Sequence, residues 1–315
     1  MKVGEVVNST TGGSSVWPHR LAVVLACATL PLLFAGGLVT GRGAGLAVPD
    51  WPTTFGYNMF LYPWSKMAGD IFYEHSHRLV ASGVGLLTIA LALILWFRER
   101  RNWVRWLGVA ALALVISQGV VGGLRVVLVD QALAILHACL AQAFFALTVS
   151  LAVFTSVEWR EPPADKPIAG AGRLMRLCAS TTALIYAQAI FGALLRHTGE
   201  WLEAHLFFAA LVTLHVLLVT IRVLRLDHRK LMRPAAFLGL LLVAQLFLGA
   251  ASYLGKFTAM LRLPAEALLA LTTTHLVMGA LMLVMSLVLT LRALRLSGSF
   301  RARTAPNVLA EQYSL

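Results

Sequence analysis

The chain is poor in charge. Asp, Glu, Lys and Arg make up 13% of its 315 residues, roughly half the share of an ordinary soluble domain. Acid is the scarcer sign, with 14 Asp and Glu against 26 Lys and Arg. So little charge, beside a large apolar fraction, excludes an ordinary cytosolic enzyme and a disordered chain. Cysteine is almost missing. Cys27, Cys139 and Cys178 each sit inside an apolar run. They build no disulfide framework, and no CxxC or Cys/His cluster suggests zinc.

What is present is apolar. Hydrophobic residues make up 59% of the chain, and the mean hydropathy is +0.78. A bilayer core needs about 20 apolar residues as a helix. Eight such runs are predicted, near 21–40, 71–97, 107–124, 133–154, 177–195, 204–221, 235–254 and 268–291. The first is too long, and too far behind a polar tail, for a cleaved signal peptide. Nineteen basic residues fall in one set of tails and loops, six in the opposite set, and Arg78 lies within the second run. Positive charge marks the cytoplasmic side. Both termini are therefore expected in the cytoplasm of a cell whose inner membrane holds the chain. Topology accounts for the basic excess, so no nucleic-acid partner is expected.

The fold class expected is an all-α polytopic membrane protein, with eight spans as two pseudo-symmetric four-helix bundles. The expected units are a tail at 1–20, a bundle at 21–157, a Pro- and charge-rich linker at 158–176, a second bundle at 177–295 and a tail at 296–315. Helices three, five and seven echo one another. Gln118 is followed by Gly122, Gln188 by Gly192 and Gln245 by Gly249. Small residues let membrane helices approach closely, and Gln bonds across them.

Nine histidines are present. His19 and His228 read as solvated flank residues. His77, His137, His205 and His275 recur once per hairpin, near the start of each even-numbered helix. Two facing imidazoles in a four-helix bundle suit a bis-histidine haem. The bland alternative for each is a packed, hydrogen-bonded histidine. His215 lies ten residues beyond His205, about 15 Å deeper along a helix, and reads as structural.

The second helix opens Ile71-Phe-Tyr-Glu74-His75-Ser-His77-Arg78. Residues three and four apart share a face, so Glu74 aligns with His77 and Arg78. An intramembrane carboxylate needs a partner or a task. One reading is a Glu74–Arg78 ion pair at the helix end. The other is a general base or charge stabiliser beside a substrate. Helices four and eight carry no equivalent carboxylate beside their histidines, which suggests a substrate site in the first half and a fixed cofactor in the second. The outer loop at 41–70 is rich in Gly, Pro and aromatics, including Trp51, Tyr57, Tyr62 and Trp64. It reads as an interfacial cap or as a lid over the first site.

The helix-one exit Gly36-Gly-Leu-Val-Thr, the loop Gly45-Leu-Ala-Val-Pro-Asp-Trp-Pro, the Glu74-His-Ser-His-Arg78 segment and the four hairpin histidines together resemble the haem A synthase family, over about residues 20–295. The resemblance implies oxidation of the C8 methyl of haem O to a formyl group, giving haem A for cytochrome oxidase. It implies that His77 and His137 flank the substrate iron, with Arg78 at Glu74 or a propionate. It implies haem b as cofactor on His205 and His275, with Glu74 as catalytic carboxylate and the haem sites toward the outer face. Expected partners are the lipid bilayer, a haem O-producing farnesyltransferase, an electron acceptor and further copies of the chain in a homo-oligomer. Some family members carry two cysteines in the first outer loop. This loop has none, so the chain resembles the cysteine-free branch. Two other readings are a bis-histidine membrane cytochrome b that only carries electrons, and a transporter. The first leaves Glu74 unexplained; the second leaves the histidines without a role.

Overall fold

A computed structural model describes residues 16–161, 167–258 and 260–298. The outer part of each expected tail and residues 162–166 of the linker lie outside the described residues. Eight long helices carry the fold: α1 Trp17–Arg42, α2 Asp70–Arg98, α3 Asn102–Val127, α4 Gln131–Thr155, α5 Ala171–Thr198, α6 Leu202–Leu226, α7 Arg229–Phe257 and α8 Ala265–Leu296. Each contains a window apolar enough to cross a membrane. At 1.5 Å per residue, even the shortest, 25 residues long, exceeds a bilayer core of about 30 Å. The chain is an integral membrane protein. All eight expected spans are present. They run from one residue to more than a turn beyond the apolar runs; α1 starts inside the expected tail and α5 inside the expected linker.

Local chemistry sets the ends. Pro18 occupies the first turn of α1, where its missing N–H costs nothing. Gly43 closes α1 at φ 74°, its N–H bonded to Thr40 and Val39 carbonyls. The Asp130 carboxylate accepts the Leu133 N–H at 3.0 Å and caps α4. Hydroxyls within the spans bond back along their own helix, as Thr88 does to the Val84 carbonyl at 2.8 Å.

Within α1–α4 each helix packs on two neighbours, α1 on α2 and α4, and α3 on α2 and α4. Helices α5–α8 repeat this ring. One buried core, with Leu25, Leu91, Leu95 and Leu151, fills the first ring. Another, with Leu174, Val216, Leu238 and Leu289, fills the second. Both lie in the half of the rings remote from His77, His137, His205 and His275. The rings meet where α8 and α4 pack together, through Leu33, Phe145, Ala280 and Val284. There α1 also lies close on α8: a Cβ on Gly37 would meet Thr273, and one on Gly41 would meet Leu269.

Candidate haem-binding and catalytic site

Each of the four hairpin histidines faces a glycine on the helix before it. A Cβ on Gly36 of α1 would stand 3.1 Å from Cε1 of His77 on α2. The same holds for Gly122 and His137 at 2.9 Å, Gly192 and His205 at 3.2 Å, and Gly249 and His275 at 3.0 Å. The notch recurs once per hairpin, about one and a half to two turns before each odd-numbered helix ends. A Cβ at that level would crowd the imidazole, so glycine leaves it the most room. Three of these glycines are visible in the sequence as the repeated Gln-x-x-x-Gly, but nothing in that repeat assigns them to the histidines.

The rings of His205 and His275 stand 6.4 Å apart, centre to centre, at 74°. A metal held between two imidazoles needs about 2 Å to each nitrogen and roughly another 1 Å to each ring centre, close to the observed span. His77 and His137 lie close enough to interact electrostatically. In all four, Nδ1 is buried with no hydrogen-bond partner, so no competing contact occupies it. Gln188 reaches Nε2 of His205 at 3.4 Å, and Gln245 reaches Nε2 of His275 at 3.5 Å. Gln118 instead donates to the His137 backbone carbonyl at 3.1 Å. The residue types and spacing fit a macrocyclic iron ligand held through imidazoles. No group of three or more metal-binding side chains occurs among the described residues.

The start of α2 is tied to the loop before it. Glu74, 2% exposed, accepts Arg78 at 2.7 Å on one oxygen and the Val48 N–H at 2.9 Å on the other. Arg78 also donates to the carbonyls of Asp50, Thr53 and Val48 at 2.7, 3.1 and 2.9 Å. His75 is fully buried; its Nδ1 meets the Thr54 hydroxyl at 3.1 Å and its ring packs on Tyr62. Three residues of the first helical turns thus clasp one loop. Trp51 lies over Gly123 of α3, where any Cβ would strike its ring. Tyr62 is buried rather than at an interface. Asp50 folds the turn beneath: partial burial raises its carboxyl, but the Gly56 N–H, the Thr53 hydroxyl and the Phe55 N–H outweigh this and hold it at about 2.

Two of the other histidines take structural places. His215 meets the Thr181 hydroxyl at 3.4 Å, deeper in the second ring. His19 is not a solvated flank residue: it is half-buried and bonds the Ala152 carbonyl at 3.0 Å, because the early start of α1 carries it against α4.

The fold and site define a membrane-embedded helical protein built around recurrent glycine–histidine notches. A model of the family described as cytochrome oxidase assembly protein matches residues 19–204, more than half of the chain. The chain belongs to that family. The match takes in Glu74, His77, Arg78 and His137 and ends one residue before His205. The chain is also similar to the "Heme A synthase" of Shouchella clausii, 36% identical over 110 residues, 34% of this chain and 35% of that protein. A second relative, the "Heme A synthase" of Alkalihalophilus pseudofirmus, is 31% identical over 143 residues, 44% of this chain and 47% of that protein. The matched segments span only about a third to a half of these relatives' lengths.

Proposed function

We propose that this protein is a haem A synthase, oxidising the C8 methyl of haem O to a formyl group. The observation that carries the reading is the glycine–histidine notch repeated in all four hairpins, with a loop clasped by Glu74 over the first ring alone. His77 and His137 would hold the substrate macrocycle, and His205 and His275 a resident haem b. When bound, such a haem would supply one-electron redox chemistry.

The residues of the chain do the rest. The notches orient the imidazoles toward the ring interior. The clasped loop and Trp51 cover the substrate side and exclude bulk water, which strengthens every electrostatic interaction beneath. Glu74 has both oxygens engaged. That supports fixed charge stabilisation, near positive charge that develops as the methyl group loses electrons, over action as a free base. Arg78 holds Glu74 in place through their ion pair. We propose the two rings as pseudo-symmetric units, 21–157 and 177–295, joined by the linker at 158–176. The histidine end faces outward and both termini lie in the cytoplasm of an inner membrane, following the Lys and Arg distribution. Haem O would arrive from a farnesyltransferase.

The test is haem extraction and chromatography after co-expression with a haem O-producing enzyme. Haem A with the natural chain, and haem O accumulating with Glu74→Ala, is the expected result. Haem b alone in both would overturn the synthase reading and leave an electron-carrying cytochrome.

A further inference from the structure

Two arginines at the histidine end stand apart from the molecule's ion pairs. Arg42, Arg78 and Arg101 each meet a carboxylate. Among the described residues, Arg125 of α3 and Arg196 of α5 meet none within ion-pair distance. Arg125 lies against Gly45 of the loop and makes one long bond, to the Gly45 carbonyl at 3.4 Å. Arg196 donates to the Gly37 carbonyl at 2.6 Å and the Thr272 carbonyl at 3.3 Å, while its buried Nε has no partner. Their places match. Arg125 follows Gly122, and Arg196 follows Gly192, by about one helical turn toward the helix end. Arg125 lies within electrostatic range of both His77 and His137, and Arg196 within range of His275. Lys256, at the end of α7 and also without a carboxylate partner among the described residues, lies within range of Arg196.

A guanidinium in apolar surroundings is costly unless it meets an anion. Carbonyl dipoles neutralise no charge, and Glu74 acts on Arg125 only from beyond ion-pair reach. Arg78 is not available for an incoming acid, since its two terminal nitrogens already make two bonds each. A guanidinium fork matches a carboxylate in two parallel bonds. A macrocycle held between the neighbouring imidazoles would bring carboxylates beside each arginine. We propose that Arg125 and Arg196 are carboxylate seats, one per ring of helices, each receiving an acidic side chain of the macrocycle held by the adjacent histidine pair. The proposal rests on the paired-histidine reading above.

Binding of iron protoporphyrin IX and of its dimethyl ester to the full chain, purified from a haem-deficient host, separates the two ideas. The readout is the Soret titration, not turnover. The natural chain should prefer the diacid by roughly ten- to hundredfold, the scale of one or two charge-assisted hydrogen bonds. With His77→Ala and His137→Ala in place, so that only the second pair binds, Arg196→Leu should cut that preference to within about twofold, and Arg196→Lys should keep part of it. With His205→Ala and His275→Ala, Arg125→Leu and Arg125→Lys should do the same for the first pair. Should a leucine variant fail to fold, glutamine takes its place, and lysine must still outbind it for the diacid. Arginine variants that keep the natural preference with an unchanged Soret band overturn the carboxylate seats alone. Binding that survives loss of both histidine pairs, or no binding by the natural chain, overturns the paired-histidine reading and this proposal with it.

Discussion

The two rings carry the same notches but treat their outer ends differently. Over α1–α4, a long loop is clasped by Glu74, His75 and Arg78 and rests Trp51 on Gly123. Over α5–α8, the connections are short, between Thr198 and Leu202 and between Phe257 and Ala265. In the second ring, glutamine amides reach the Nε2 atoms of both histidines. In the first, Gln118 turns to a backbone carbonyl, and Leu32 takes the place in α1 that glutamine takes four residues before the other three glycines. One framework thus supports a covered site with a buried carboxylate and an uncovered site with prearranged imidazoles. The repeat supplies paired imidazoles in notches, while a single loop supplies what differs.

The sharpest way to break this comparison is to remove ligands from one ring at a time. His275→Ala should abolish the resident haem absorption, while His77→Ala should keep it and abolish haem A formation. Absorption spectra and haem chromatography of the two variants check this. Loss of the same signal in both would erase the distinction between the rings.

The notches come next. Gly249→Val should push the His275 ring off its position and weaken haem retention about tenfold or more, since carbon is forced within hard contact of the ring. Gly239→Ala on the same helix meets nothing within 4 Å. It should retain haem as the natural chain does and gain slightly in helix stability. Haem transfer to an apo-acceptor reads both rates.

A smaller effect is expected from the loop. Arg78→Gln removes the ion pair and most of the carbonyl contacts, leaving Glu74 buried and unpaired, at a cost of about 3 kcal/mol or more to the clasped state. Proteolysis within residues 44–69 should rise, with the resident haem spectrum unchanged. Protection equal to the natural chain would remove the clasp as the feature that sets the first ring apart.

The smallest is a pH effect. Asp50 is held at about 2 in the folded loop, below its usual 3.8. A depressed carboxyl contributes stability that is complete above the ordinary value and lost as pH falls through the folded one. Protection of the Phe55 and Gly56 amides, taken relative to intrinsic hydrogen exchange, should therefore stay high near neutral pH and drop as pH falls from about 4 toward 2. Asp50→Asn should flatten that dependence, and exchange in α5–α8 should not follow it.

Much of the site is legible in the amino-acid sequence. His77, His137, His205 and His275 stand out because an ionisable residue recurring once per hairpin is rare in a membrane chain. The Glu74–Arg78 pair follows from i, i+4 spacing. What is not legible is where those side chains spend their remaining bonds. Helical spacing aligns Glu74 with His77, yet its second oxygen is taken by Val48, 26 residues away. Arg125 and Arg196 count in sequence only as two of six basic residues on the less basic side. Their lack of carboxylate partners depends on what packs around them.

By itself the sequence determines the eight spans, the excess of charge at one end and the recurrence of histidine and glycine. Those are one-dimensional properties, set by bilayer thickness, helical rise and the cost of charge in lipid. Only the tertiary structure decides that each glycine faces the histidine of the next helix, that one loop is clasped and that two guanidiniums stand beside the histidine pairs. Hydrogen bonds and steric clearances are settled between segments far apart in the chain, and local propensity carries no information about which remote atoms meet.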